Sequence, residues 1–429
     1  MSTSLLRAGV IYVLANVLAA GVPFLLLPIL TRALPPDQYG EVVAFFLLVS
    51  VCSSVAGLNA HSSIAVRWFE RETLDFPTFV GTAVALALAS TLGCAALLVA
   101  AASLWQQQLG LSAWMWPLAA LAAGATVLGN ARTALWQSQR RPWPVATFQV
   151  TGASLNMGLS LLGVFWLGQG AAGRNLGALL AAGIMAVVGV YLLRRALDLN
   201  WSFAGQHARQ VLRFGLPLVP HALAGAVIVG ADRYVVSAQL GTDALGIYGA
   251  AAQLGMVLNV LSDAAVKAAS PWLYAQLSNA GTRGRLRVVA ATYASVPIAL
   301  IVAIAVWLLF VAVGPWLLGQ RYQAAIGLSL WFLLGGALTA IYLNIAGLFF
   351  FTSRNEWLAA ATAVSALVAV LAAPHLTQAY GLEGAAASYC LVQGVQTGLA
   401  WLLSLRVRPM PWRHPRLAVR LLTRQGGKS

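Results

Sequence analysis

The chain alternates long apolar runs with short polar segments. Twelve runs lie near the length of about 20 residues that a helix needs to cross a bilayer. They cover residues 9–30, 42–60, 80–104, 112–135, 143–168, 175–193, 214–239, 245–269, 289–314, 323–350, 356–374 and 383–405. Strands of a membrane barrel would instead be shorter and alternate apolar and polar positions. The pattern predicts an all-α integral membrane protein with about 12 transmembrane helices, the first of them an uncleaved span.

The composition agrees with this fold class. Hydrophobic residues make up 60% of the chain and charged residues 9%, whereas about a quarter of the residues in a soluble domain are charged. A net charge of +15 could indicate a nucleic-acid partner in a soluble protein. Here basic cytoplasmic loops explain it, so no nucleic acid is expected. The three cysteines, Cys52, Cys94 and Cys390, fall inside apolar runs and predict no disulfide framework or metal site.

The loop charges predict an orientation for the spans. If the N-terminus is cytoplasmic, 22 of the 26 lysine and arginine residues fall on the inner side. The other four are Arg32, Arg174, Arg233 and Arg321. The positive-inside rule requires such an asymmetry for an even number of spans with both termini in the cytoplasm. All outer loops are short, so none can fold into a domain.

The sequence contains an internal duplication. Leu34–Gly40 and Leu240–Gly246 share the pattern L-x-x-D-x-x-G, with a shift of 206 residues. Two further pairs of similar segments follow in the same order, 136–143 with 350–357 and 175–178 with 382–385. Three pairs of similar segments in the same order predict two copies of a six-helix unit.

The duplication predicts the domain organisation. Residues 1–200 and 201–405 would form two six-helix halves in the same orientation, related by an axis along the membrane normal. Residues 194–213 are amphipathic enough to form an interfacial helix between them. Residues 406–429, which include Trp412, would form a basic cytoplasmic tail on anionic lipid.

Several motifs resemble those of a known transporter family. They are PILTRALPPDQYGEV at 28–42, FGLPLVPHALAGAVIVGADRYVVSAQLGTDALGIYGAA at 214–251, GQRYQAA at 319–325, TSRNEWLAA at 352–360 and YGLEGAAASY at 380–389. The segment around Asp232-Arg233, followed by Gly246-Ile247-Tyr248, is the most specific part. On these residues the chain resembles the polysaccharide transporter family of O-antigen and exopolysaccharide flippases, in the superfamily of MATE multidrug exporters and lipid II flippases.

The resemblance implies a fold and an activity. The fold would be two six-helix bundles in a V around a central cavity. The activity would be a flippase that moves an undecaprenyl-diphosphate-linked oligosaccharide across the bacterial inner membrane, from the cytoplasmic to the outer leaflet. The partners would be this lipid-linked glycan, membrane lipids, a polysaccharide polymerase and glycosyltransferases, and no cofactor is expected. The diphosphate and glycan would need a polar cavity with fixed cations, since charged groups inside a membrane usually mark the transport path.

Six residues are candidates for lining that cavity. Arg32 ends the first span and Arg233 lies in the outer part of the seventh; they could bind the diphosphate or acidic sugars, or snorkel to lipid headgroups. Arg132 and Arg67 lie near the inner ends of the fourth and second spans, where they could line the cytoplasmic mouth or anchor the topology. Asn16 and Asn156 lie mid-span and could line the glycan path or join helices by hydrogen bonds.

Four further residues are candidates for ion coupling or structural roles. Asp232 points about 100° away from Arg233 around a helix, so it is not expected to be simply the partner of Arg233. It could bind a proton or Na⁺, or accept a hydrogen bond from another helix. Asp263 and Lys267 are four residues apart with the acid first, which favours a local pair. His221 favours a hydrogen-bonded helix contact over a proton shuttle.

The sequence does not predict an enzyme. It has no Walker A loop, no Cys/His metal spacing and no Gly-x-Ser-x-Gly, and Gly173-Arg174-Asn175 is interpreted as a turn. A cation-coupled exporter of the MATE type is an alternative, although the two outer arginines suit an anionic cargo better. A major-facilitator carrier lacks support because the second loop does not carry that family's motif. A membrane polymerase or ligase of surface polysaccharide is disfavoured by the short outer loops.

Overall fold

The computed structural model consists of helices joined by short turns. It describes residues 3–198, 203–278, 282–407 and 410–412, with side chains from Leu18 onward except at 106, 107, 267, 268, 271, 282 and 283. The helices are α1 (Thr3–Ala33), α2 (Pro36–Val55), α3 (Ala60–Arg67), α4 (Phe76–Leu109), α5 (Met115–Ser138), α6 (Pro142–Leu161), α7 (Gly170–Leu197), α8 (Gly205–Gly215), α9 (Val219–Leu240), α10 (Thr242–Ser278), α11 (Thr282–Leu317), α12 (Ala324–Thr352) and α13 (Asn355–Val407). A π-helical turn, Leu162–Trp166, extends α6.

Ten helices in the described part of the chain are long and apolar enough to cross a membrane. This confirms the prediction of a multi-pass, all-α membrane protein. The last of them, α13, has 53 residues, far more than one crossing requires. Gly381 interrupts it with φ 59° and ψ −137°, and a Cβ on Gly384 would overlap the carbonyl oxygen of Leu376. The chain therefore turns back on itself at Gly381, and the total of twelve spans stays a prediction.

Local signals set the ends of the helices. Pro36 and Pro142 stand at the first position of α2 and α6, where the missing N–H of proline removes no helical hydrogen bond. Asp75 caps α4, and its Oδ1 accepts a hydrogen bond from the backbone N–H of Thr78 at 3.3 Å. The second predicted span, 42–60, is wrong at its end, because α2 stops at Val55.

The predicted linker helix exists in a shorter form. Its described part is α8, Gly205–Gly215, and residues 199–202 lie outside the described residues. The buried side of α8 contains His207, Ala208 and Val211, and the ring of His207 lies 5.8 Å from that of Phe79 in α4. The amphipathic helix is confirmed, while its place at the membrane interface stays a prediction.

The helices pack as two compact units, Met1–Gly249 and Ala250–Ser429. In the first unit, α5 contacts α2, α3, α4, α6 and α7, and α9 packs against α2 and α4. The core of this unit includes Phe79, Leu128 and Leu135, all buried. The predicted domain boundary after residue 200 stays a prediction.

The two copies of the L-x-x-D-x-x-G motif lie against each other in the first unit. A Cβ on Gly40 would overlap the carbonyl oxygen of Thr242, and a Cβ on Gly246 would overlap the carbonyl oxygen of Pro36. Equivalent atoms of the copies thus make the same contact in both directions, as a local two-fold axis requires. Only glycine lets two helix backbones approach this closely.

The second unit buries part of the predicted tail. In this unit α12 packs against α11 and α13. The ring of Trp412 is buried and lies 6.0 Å from that of Tyr293, whose hydroxyl donates to the carbonyl oxygen of Trp412 at 2.7 Å. The prediction that Trp412 lies on a surface tail is wrong, because a large aromatic side chain gains more from burial than from water. Residues 413–429 lie outside the described residues.

Candidate functional site

Helices α6 and α7 touch through their glycines. A Cβ on Gly163, in the π-helical turn, would overlap the backbone of Gly173. A Cβ on Gly177 would lie 2.6 Å from the backbone nitrogen of Ser160. Gly173 and Gly177 have the small-x-x-x-small spacing that lets membrane helices pack backbone to backbone. Between these two glycines lies Arg174, which this packing brings against α6.

Arg174 is a buried cation. Its side chain belongs to the first turns of α7, and the residue is 7% exposed. Nη1 donates to Oδ1 of Asn156 at 3.1 Å and to Oγ of Ser160 at 2.9 Å. The guanidinium carbon lies 4.8 Å from the ring centroid of Phe46 in α2, which is a cation–π distance. The interpretation of Gly173-Arg174-Asn175 as a turn is therefore wrong.

A cavity of about 240 Å³ lies beside Arg174, between α2, α5, α6 and α7. Its wall includes Phe46 and Asn156, the stacking and hydrogen-bonding partners of Arg174. The polar groups of its wall come from α5 and α6, and they are Thr126, Asn130, Thr133, Gln149 and Asn156. Thr126 and Asn130 are exposed, so the cavity opens on the side of α5. We call it the N-terminal cavity.

No carboxylate is available on the helices around most of this cavity. The sequence contains no aspartate or glutamate between Asp75 and Asp198, a segment that includes all of α4, α5, α6 and α7. The first turns of α2 carry Asp37 and Glu41, but neither lies within ion-pair distance of Arg174 in the described structure. A buried arginine without a counter-ion is costly, because its charge has lost water and gained no opposite charge.

Arg132 is a second buried cation in this acid-free segment. It lies in α5, is 6% exposed, and its guanidinium carbon is 4.3 Å from the ring centroid of Trp136. Its Nε and Nη1 have no hydrogen-bond partner among the described residues. Trp136 packs in turn on Phe148, a residue of the wall of the N-terminal cavity. The structure buries Arg132 between helices, and its predicted role at the cytoplasmic mouth or as an anchor of the topology stays a prediction.

Asp232 is held by α9 and α10 together. The residue is 3% exposed, and its Oδ2 accepts a hydrogen bond from the hydroxyl of Tyr248 at 2.6 Å. Its Oδ1 accepts from the backbone N–H of Arg233 at 2.7 Å and lies 3.5 Å from Nη1 of Arg233. Arg233 also donates to the carbonyl oxygen of Val229. The expectation that Asp232 is not the partner of Arg233 is wrong, because the long arginine side chain folds back along its own helix.

Other predicted site residues lie at the surface. Arg32 is exposed at the end of α1, and His221 is exposed near the start of α9. Arg67 forms an ion pair with Glu70. Asp263 is exposed in α10. Their roles in substrate or ion binding stay predictions.

Two further residues belong to the predicted site. The side chains of Asn16 and Lys267 lie outside the described residues. The cavity role of Asn16 and the pair between Asp263 and Lys267 therefore stay predictions.

Arg174, Ser160 and Tyr248 were not among the residues predicted for the site. Arg174 stands one residue before a predicted span and was counted with the outer loop. The spacing of Asn156 and Ser160, four residues apart, places both on one face of a helix. That face, opposite the Gly-x-x-x-Gly segment 173–177, is the signal that could have located Arg174 inside the bundle.

The profile of the family described as Polysaccharide biosynthesis protein matches residues 5–276, which is more than half of the chain. The chain belongs to this family. Two Haemophilus influenzae proteins are similar to this family member over most of its length. Protein 1 of the Lsg locus is 23% identical over 385 residues, which cover 86% of this chain and 91% of that protein. An uncharacterized membrane protein is 24% identical over 374 residues, covering 85% and 88%.

The fold of this polysaccharide biosynthesis family member is that of known transporters. It is similar to a multidrug resistance MATE family transporter in an outward-facing conformation, with a TM-score of 0.63, 17% identity and coverage of 94% and 95% of the two chains. It is similar to a Pyrococcus furiosus transporter of the MOP superfamily with a TM-score of 0.62, 17% identity and the same coverage. The chain thus has a MATE-like fold built from helices long enough to cross a membrane.

Proposed function

We propose that this protein is a membrane transporter, a flippase for an undecaprenyl-diphosphate-linked oligosaccharide used to build a surface polysaccharide such as O-antigen, lipopolysaccharide or exopolysaccharide. It would lie in the bacterial cytoplasmic membrane with both termini in the cytoplasm. Glycosyltransferases would supply the loaded lipid, and a polymerase would use it on the outer side. Membership of the polysaccharide biosynthesis family, the MATE-like fold and a predicted twelve-span topology that would put 22 of 26 basic residues on one side support the proposal.

The buried arginines of the first unit favour an anionic cargo over a cationic one. Arg174 and Arg132 are both more than nine-tenths buried, and the segment between Asp75 and Asp198 supplies no carboxylate to neutralise them. A path for organic cations would place carboxylates in such positions, since like charges repel. Cations fixed in helices instead favour a diphosphate or an acidic sugar.

A cation-coupled exporter of small molecules is the second candidate. The solved structures that resemble this chain include multidrug MATE transporters, and Asp232 is a buried carboxylate of the kind that could bind a coupling ion. In this structure, however, both oxygens of Asp232 already have partners, Tyr248 and Arg233. The carboxylate is therefore engaged in joining α9 to α10.

A flipping assay tests the proposed function. The purified protein is reconstituted into vesicles with a fluorescent short-chain prenyl diphosphate that carries an oligosaccharide, and a membrane-impermeant quencher is added. Without transport, the fluorescence of the inner leaflet, about half, stays protected. Protein-containing vesicles should lose this protected fraction at a rate at least about tenfold above that of empty vesicles, because the protein lowers the barrier to transfer of the charged headgroup.

Matched controls separate the two candidates. A fluorescent phosphatidylcholine should remain protected in the same vesicles, which shows that the protein does not simply make the membrane leaky. Equal protection of the lipid-linked glycan with and without protein, together with uptake of organic cations driven by a proton or Na⁺ gradient, would establish the exporter instead.

A further inference from the structure

We propose that a second cavity of the first unit, separate from the N-terminal cavity, binds a neutral sugar residue. It has a volume of about 570 Å³ and lies where three connections meet: the turn from α1 to α2, the residues before α5 and the turn from α6 to α7. We call it the end cavity. The predicted topology places all three connections on the outer side of the membrane. The sugar would belong to the glycan after its transfer, a source that rests on the proposed function.

The wall of the end cavity contains five polar side chains without a partner in the protein. They are Gln38, Glu41, Ser112, Trp114 and Gln169. None of these side chains forms a hydrogen bond or an ion pair with another described residue. Together they offer a carboxylate, two amides, a hydroxyl and an indole N–H. Sugar hydroxyl groups both donate and accept hydrogen bonds, so they can pair with this mixed set.

The charge of the end cavity favours a neutral ligand. No lysine, arginine or histidine lines it, and its one carboxylate is that of Glu41. A second carboxylate, Asp37, stands four residues earlier in α2, one turn away on the same face. These negative charges oppose the entry of a phosphate or an acidic sugar, because like charges repel. They favour hydroxyl donors, since a carboxylate is a stronger acceptor than a neutral oxygen.

Aromatic rings give the end cavity an apolar surface. Trp114 is 50% exposed and lines the wall together with Phe165. The C–H groups of a sugar ring form an apolar face that can cover an indole, which removes apolar surface from water. Tryptophan is also common at membrane interfaces as an anchor. That role suits Trp166, which is 85% exposed and lies outside the cavity wall, but it does not explain the unpaired carboxylate and amides beside Trp114.

The backbone leaves space for one of the amides. Gly168 and Gly170 have positive φ angles of 63° and 53°, which glycine adopts without strain. A Cβ on Gly170 would also overlap Oε1 of Gln38. The turn from α6 to α7 therefore admits the amide of Gln38 into the wall. The volume of about 570 Å³ lies within the range of about 300–1,000 Å³ typical of small-molecule sites, so a short part of a glycan fits.

Saturation-transfer NMR measures sugar binding to the full-length protein in nanodiscs of phosphatidylcholine. The neutral probes are glucose, galactose and N-acetylglucosamine, and glucuronate and galacturonate are the acids matched to the first two. At least one neutral sugar should show saturable transfer to its ring protons. Neither acid should bind more tightly than its neutral counterpart, because the carboxylate of Glu41 repels it.

Substitutions in the wall, each with a neighbouring control, locate the bound sugar. Glu41→Gln keeps the size of the side chain and removes its charge, so sugar binding should weaken at least about tenfold. Trp114→Ala removes the apolar platform and should also weaken binding. Asp37→Asn removes the carboxylate outside the cavity wall, and Trp166→Ala removes the tryptophan outside it. Both controls should bind sugar as the unmodified protein does, and an unchanged thermal midpoint shows that Glu41→Gln is folded.

The flipping assay identifies the source of the sugar. If the sugar belongs to the lipid-linked cargo, Glu41→Gln should lower the rate at which this cargo is flipped. An unchanged rate in a variant that no longer binds sugar would identify the finished polysaccharide as the source.

Three results would overturn the proposal. One is the absence of saturable transfer to all three neutral sugars, including the case in which the cavity binds Ca²⁺ instead and Glu41→Gln abolishes this. Another is unchanged sugar binding in both Glu41→Gln and Trp114→Ala, which would place the sugar elsewhere. The third is an equal loss in Trp166→Ala. Failure of the proposed function gives a different pattern: sugars bind and respond to Glu41→Gln, but the lipid-linked glycan stays protected in the flipping assay.

Discussion

Replacing Gly246 by alanine should destabilise the first unit by about 3 kcal/mol, at the upper end of what one extra methyl group costs in a packed core. The added Cβ would overlap the carbonyl oxygen of Pro36. This neighbour is backbone and cannot rotate away, so α2 and α10 must separate. The free energy of unfolding, measured by SDS titration in mixed micelles, should show the loss. Gly40→Ala should have a similar effect because its Cβ would meet the carbonyl oxygen of Thr242.

The glycine contact offers an internal control and a test of its symmetry. Gly158 lies in α6, and a Cβ there would meet nothing within 4 Å, so Gly158→Ala should be neutral or slightly stabilising. Both alanines at the motif contact widen the same gap, so the double variant should lose less than the sum of the single losses. Additive losses would show that the two glycines act at independent places.

Asp232→Ala should cost about 3–5 kcal/mol of stability, the range found when one member of a buried ion pair is removed. The variant leaves the hydroxyl of Tyr248 and the guanidinium of Arg233 without the carboxylate that they share. Tyr248 is fully buried, so water cannot replace the lost acceptor at low cost. The same SDS titration measures the change.

Three further variants separate the parts of this cluster. Asp232→Asn keeps an acceptor and should lose less than alanine does. Tyr248→Phe removes one hydrogen bond and should cost about 0.6–2 kcal/mol, the range for such bonds between membrane helices. Asp243→Ala, on an exposed residue in the first turn of α10, should cost at most about 1 kcal/mol. A loss at Asp243 equal to that at Asp232 would contradict the assignment of Asp232 as the buried junction.

Most of the fold could be predicted from the sequence, because it depends mainly on the lengths of the apolar runs along the chain. The length of an apolar run decides whether a helix can cross a bilayer, and this length can be read from the sequence without knowing which residues contact each other. The repeated motif is legible for the same reason. The contact between the two copies could not be predicted, because the sequence shows only that the segments are similar. The structure shows that Gly40 lies against Thr242 and Gly246 against Pro36.

The candidate site was harder to predict because it depends on contacts between helices and on the residues at which helices begin and end. Arg174 lies at the edge of an apolar run, where hydropathy indicates a loop, but α7 begins at Gly170. Its partners Asn156 and Ser160 lie in α6, which precedes α7 in the chain. The link between Asp232 and Arg233 was missed because helical angles describe where Cβ atoms point, and a long side chain can return to its neighbour. The burial of Trp412 was not predicted because the basic residues around it in the sequence indicate an exposed segment.

The glycine contact between α6 and α7 has a consequence for the conformational freedom of Arg174. Fixing the rotamers of a free arginine costs about 2 kcal/mol of conformational entropy. Because Gly163 and Gly173 bring the two backbones together, and Asn156 and Ser160 fix the guanidinium, this loss is incurred when the helices assemble. The positive charge of Arg174 therefore keeps one position for as long as the two helices stay packed.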